Sequence, residues 1–136
     1  MKFVKLLLGL PLASALLFSA CKSSETVPSN VVFIGVRQSA RLASNMVVRA
    51  DSIQDSRCPS DVVCFWAGVA QVKLALSTGN DSTTIRLSLS PTQKDATVDA
   101  KLNNSIYKVI LHEVSPYPTL ANLTQLRTAL VEVIKL

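Results

Sequence analysis

Three cysteines, a single histidine and three closely spaced aspartates are the first side chains to weigh for chemistry in this sequence. Cys58 and Cys64 lie within Asp55-Ser56-Arg57-Cys58-Pro59-Ser60-Asp61-Val62-Val63-Cys64-Phe65-Trp66-Ala67-Gly68, a stretch that also holds the only tryptophan. Five residues separate the two sulfurs, which is not the Cys-x-x-Cys spacing that tunes a reactive thiolate. His112 is the only imidazole, so a hydrolase could be built around one position alone. A general base there needs an orienting partner and a nucleophile within hydrogen-bond reach. Alternation in the surrounding segment puts His112 opposite Tyr107, Val109 and Leu111, toward solvent. A zinc site takes three or four ligands, more than His112 can supply. Asp51, Asp55 and Asp61 offer oxygens of the kind calcium uses, but their spacing matches no calcium loop and lacks its glycine. The simpler assignment is that Asp55 pairs with Arg57 or caps a turn. These residues assign no catalytic group, no metal and no cofactor.

The N-terminus carries an address. Met1-Lys2-Phe3-Val4-Lys5 is basic, Leu6 to Leu17 is a twelve-residue apolar run, and small residues precede Cys21, which is the pattern of a secretory signal peptide. A spanning helix needs about 20 apolar residues, and this run is interrupted by Gly9 and Pro11 and stops at Lys22. The residues before Cys21 resemble the lipobox of bacterial lipoprotein precursors: Ser19, Ala20 and Cys21 match, while Phe18 stands where leucine is usual. The resemblance implies cleavage after Ala20 and lipid on Cys21. It also implies membrane attachment on the envelope side of the cell, with the outer membrane favoured because Lys22 replaces the aspartate of inner-membrane retention. Residues 1–20 are then the signal peptide, 21–30 a lipidated tether and 31–136 the folded domain.

With Cys21 committed to lipid in an oxidising compartment, Cys58 and Cys64 are expected to form a disulfide. Removing Lys2 and Lys5 leaves 12 basic against 9 acidic side chains, a balance of +3 where the full chain has +5. The basic residues are scattered, with no patch for nucleic acid.

From Val31 onward the apolar period is two, the mark of half-buried strands. Met46, Val48 and Ala50 share one face, as do Ala70, Val72, Leu74 and Leu76, and then Ile85, Leu87 and Leu89. Ser77-Thr78-Gly79-Asn80-Asp81 closes a hairpin over residues 67–90. Further strands are expected at 96–100 and 105–114, the latter ending at Pro116-Tyr117-Pro118 because proline has no amide for a ladder. A last strand is expected at 127–135, with loop or one helical turn before it. Seven or eight short strands argue for an antiparallel β-sandwich, immunoglobulin-like in architecture, with a small barrel as the alternative. Phe33, Tyr107 and one of Phe65 or Trp66 are expected in the core, with Trp66 against the disulfide.

Arg57-Cys58-Pro59, Cys64, Trp66-Ala67-Gly68, Tyr107 and Pro116-Tyr117-Pro118 together resemble a set of small bacterial secreted or lipoprotein domains to which no activity is attached. The functional expectation is a lipid-anchored, non-enzymatic binding or structural module. Its contacts with an envelope partner are expected at Arg57, Trp66 and Tyr117, on rigid loops at one end of the sandwich. An envelope hydrolase using His112 and a protease inhibitor presenting sandwich loops are the alternatives.

Overall fold

A computed structural model describes residues 29–136. The expected leader, the lipid site at Cys21 and most of the tether lie outside the described residues. The domain is built from β1 (Val31–Gly35), β2 (Ser39–Arg41), β3 (Val47–Asp55), β4 (Ala70–Thr78), β5 (Asp81–Leu89), β6 (Ala96–Leu102), β7 (Ser105–Ser115) and β8 (Thr128–Lys135), with one 3₁₀ turn at Leu120–Asn122. Two four-stranded antiparallel sheets, ordered β1-β8-β7-β6 and β2-β3-β4-β5, form a sandwich. The sheets are separate, so the barrel alternative is not the one adopted. Within each sheet the chain runs as successive hairpins, and β1 joins by pairing with β8. The chain then crosses to the second sheet at Val36 and Arg37, where the Arg37 amide donates to Ala50 O at 2.7 Å.

The core is what the alternation calls for. Met46, Val48, Ala50, Ala70, Val72, Leu74 and Leu76 from one sheet face Val109, Leu111, Ala129, Val131 and Val133 from the other, all at most 1% exposed. Tight turns require particular residues at two tips. Gly79 takes a φ of +57°, and Asn103 and Asn104 take +47° and +62°, values that asparagine tolerates better than other side chains. Asn103 also ties the sheets together: its amide donates to Asp81 at 2.7 Å and its side chain donates to Thr78 O at 2.9 Å.

Period-two reasoning fails where a strand bulges. On β7 the ladder to β8 slips between Leu111 and Glu113, leaving His112 as the extra residue. Before the bulge Tyr107, Val109 and Leu111 point inward; after it the inward residue is Val114, at 1% exposure. A bulge shifts the phase by one and re-aims the extra side chain. The core aromatics are the clearest correction. Tyr107 is buried, but Phe33 is 65%, Phe65 102% and Trp66 72% exposed. Phe33 points outward from β1, between the inward Val32 and Ile34, and the disulfide loop carries Phe65 and Trp66 beyond the core.

Candidate functional site

Asp55 ends β3 and starts the corner, and its carboxylate is the centre of a buried ionic cluster. Arg57 clasps it with two hydrogen bonds, Nε to Oδ1 and Nη2 to Oδ2, each 2.7 Å. Arg127, at the entry to β8, donates to the same Oδ2 at 2.9 Å. The side chains of Asp55, Arg57 and Arg127 are only 5%, 6% and 7% exposed. Burial by itself raises the carboxyl's pKa. The hydrogen bonds from Arg57 and then Arg127 outweigh it, holding the group below the ordinary 3.8. The other guanidinium hydrogen bonds go to backbone carbonyls and to the Asn122 side chain, which accepts from Arg127 Nη2 at 3.3 Å. Arg57 donates to Val114 O at 2.8 Å, while Arg127 donates to Asn122 O at 3.1 Å and Gln125 O at 3.0 Å. Arg57 also lies 4.4 Å from the ring centroid of Tyr117, within cation–π range. One carboxylate thereby fastens the corner, the end of β7, the proline loop and the approach to β8 to one another.

The disulfide loop is held against this base. Cys58 and Cys64 are joined, with their Cα atoms 5.9 Å apart. In the chain-entropy view, closing so short a loop contributes about 2.4 kcal/mol. The Cys58 amide donates to Ala67 O and the Ser56 amide to Val69 O, both at 2.9 Å. Across to the proline loop, the Ser60 amide donates to Pro118 O at 3.0 Å. The Leu120 amide donates to both Asp61 oxygens, at 3.0 and 3.2 Å. Upon this frame stand Val63 at 100%, Phe65 at 102% and Trp66 at 72% exposure, with Leu120, Leu123 and Leu126 exposed on the neighbouring segment. One end of the sandwich therefore offers apolar side chains on a braced support. These protruding side chains lie outside the core and are braced from below.

Of the residues expected to make contacts, Trp66 stands in the open and Tyr117 is 40% exposed with Arg57 against its ring. Arg57 itself is turned inward, so its charge braces the loop rather than facing outward. Arg127 was not legible as its neighbour: the two arginines are 70 positions apart in sequence. The three aspartates do not converge. Asp51 pairs with Arg49 at 2.7 Å on the outer face of the second sheet, Asp55 is in the ionic cluster, and Asp61 accepts from Leu120.

His112 has partners that local sequence did not supply. The bulge on β7 places its Nδ1 2.5 Å from Asp95, which precedes β6, and its Nε2 2.8 Å from Glu132 on β8. Hydrogen bonding to Glu132, then to Asp95, raises the imidazole's pKa above the ordinary 6.5, with burial acting in the opposite direction. Both ring nitrogens are spent on carboxylates, so in this arrangement neither is left for a hydroxyl nucleophile. The linkage follows from the sign. A raised folded pKa stabilises the fold fully below about pH 6.5, and the contribution is lost as pH rises through the folded value. With the three side chains about 30% exposed, the effect should stay within about 1 kcal/mol. Urea melts of wild type and His112→Gln across pH 5.5 to 8.5 should show a gap that narrows as pH rises; a constant gap would mean the imidazolium is not what the carboxylates hold.

The outer face of the second sheet has a shallow depression of about 500 Å³, lined by Ser39, Arg49, Asp51, Ser82 and Thr84 among others. It carries hydroxyls and one ion pair but no aromatic platform. No family model, curated protein or solved structure matches this chain.

Proposed function

We propose that this protein is a lipid-anchored module of the bacterial cell envelope, attached through Cys21 and acting by binding rather than catalysis, with the braced apolar end as its working surface. The observation that carries the binding surface is that Val63, Phe65 and Trp66 stand 72% exposed or more on a loop fixed by a disulfide and a buried ionic cluster. A soluble fold gains by burying such groups, about 1.5 to 3 kcal/mol for a large apolar side chain, and a rigid support removes the ordering cost on association. The anchor is supported by the basic start, the apolar run and Ser19-Ala20-Cys21. Three acyl chains at Cys21 would make attachment effectively permanent, since a single chain gives only marginal binding. The outer membrane is the favoured address because Lys22 follows the cysteine.

The hydrolase alternative draws on Asp95 and Glu132 beside His112, but two carboxylates favour the imidazolium, which is the wrong form for a general base.

The test is photo-crosslinking in intact cells from a probe placed at position 65, with a probe at position 84 on the outer face of β5 as control. Mass spectrometry would identify the adducts and the modification at Cys21. We expect an adduct with an envelope component from position 65 alone, and a mature chain beginning at acylated Cys21. Adducts that do not depend on the probe's position would remove the binding surface, and an unmodified Cys21 would remove the anchor.

A further inference from the structure

Resting on the binding-module reading, we infer that the component met by the apolar end is the bilayer itself, with the disulfide loop and the 120–126 segment entering a neutral lipid–water interface. Four observations lead there. First, Val62 to Gly68 contains no charged side chain, and Val63 and Phe65 are exposed to 100% and 102%. Side chains that stand this clear of their neighbours are convex knobs, the shape that enters a soft apolar phase; the depressions of about 500 and 130 Å³ lie elsewhere, on the outer face of the second sheet.

Second, the chemistry at this end is that of an interfacial anchor: leucine, valine and phenylalanine to be buried, and Trp66 and Tyr117 with an apolar body and a polar tip suited to headgroup depth. Third, Arg57 and Arg127 are buried and both turned onto Asp55, so neither reaches out to anionic headgroups. The tips themselves, residues 62–68 and 120–126, carry no charge, so their attraction is apolar and a zwitterionic membrane suffices.

Fourth, the chain length allows it. Val31 pairs with Glu132, four residues along β8 from Thr128 at the apolar end, or about 13 Å at strand rise. Ser29 O accepts from the Ala43 amide and Asn30 O from the Val133 amide, so the reach is that of residues 22–28, about 23 Å when extended, and a lipid on Cys21 and the apolar end can occupy one leaflet. The domain then stands end-down on its own membrane, held by both its acyl chains and its loop tips.

The lone tryptophan reports on this directly. Both sheets and the core lie within residues 29–136, so a soluble form starting at Lys22 retains the whole domain. Mixed with phosphatidylcholine vesicles it should co-sediment, its Trp66 emission should shift to shorter wavelength, and bromine-labelled lipid should quench that emission. Phe65→Asp and Leu126→Asp should each weaken partitioning by on the order of tenfold or more. Ile106→Asp changes an equally apolar residue, 47% exposed, at the opposite end and should leave partitioning unchanged. All three sites are exposed, so melting temperatures should stay near wild type. Absence of co-sedimentation, equal losses in all three variants, or an emission shift that follows protein concentration without lipid would each overturn the inference. If vesicles fail while the position-65 probe in cells still captures a protein, the binding module stands and the bilayer does not.

Discussion

Asp55→Asn should be among the most damaging single substitutions in this domain, lowering stability by about 3 to 5 kcal/mol. The change is nearly isosteric, so it leaves no cavity; what it removes is the one negative charge between two buried guanidinium groups. Arg57 and Arg127 lie 2.7 and 2.9 Å from the carboxylate with almost no solvent contact, and without it each is an uncompensated ion in low dielectric. For a domain of this size about 1 kcal/mol corresponds to roughly 4 °C, so thermal unfolding should move down by at least about 12 °C. Arg127→Met should cost less, because Asp55 keeps its two-pronged partner Arg57. Calorimetry of the two variants checks the order, and an Asp55→Asn loss within about 1 kcal/mol of wild type would show that the cluster is not what ties the corner to β7 and β8. The pH behaviour follows the same logic. Asp55's folded pKa is depressed, so its contribution is present above the ordinary 3.8 and is lost as pH falls through the lower folded value.

The second large effect is expected at Gly68, where the disulfide loop returns to the sheet. Its φ is +70°, and a Cβ built there would sit 1.8 Å from Ser56 O. Left-handed backbone costs an alanine about 1 to 2 kcal/mol, and relieving a collision with backbone costs about 1 to 3 kcal/mol more. Because the atom in the way is a main-chain oxygen, no rotamer can release the strain. Gly68→Ala should therefore destabilise by about 3 kcal/mol, with the loss falling first on the Cys58–Ala67 and Ser56–Val69 hydrogen bonds. Hydrogen exchange should show those amides opening while Val72 and Leu74 in mid-strand stay protected. Gly79→Ala is the comparison, since its Cβ would meet only the Asn103 side chain, at 3.9 Å. That variant carries the backbone cost alone. If the two glycines prove equally tolerant, residues 56 and 68 do not lie as close as described.

These two sites differ in how far they could be read from the chain itself. The Asp55–Arg57 pair is local, two residues apart, and was legible. Arg127 joins them across 72 residues, and nothing in its flanking sequence distinguishes it from any other isolated arginine. Alternation puts His112 on the outer face. Its partners come from β6 and β8, and the bulge that aims it has no glycine or other marker at the slip. The aromatic residues misled for a related reason: size and apolarity argue for the core, yet Phe65 and Trp66 follow a closed loop that carries them past the last core layer.

Alternation alone established which side of β4, of β5 and of β7 up to its bulge is buried, since neighbouring side chains on a regular strand point to opposite faces whatever the strand later packs against. The same local logic located the Gly79 turn and the short Cys58–Cys64 ring. Which strand lies beside which, which distant charges share a burial site, and whether an apolar tip is covered or left open were decided by the packing of the two sheets. Those outcomes depend on registers and bulges that bring together residues tens of positions apart, and period-two patterning contains no term for them.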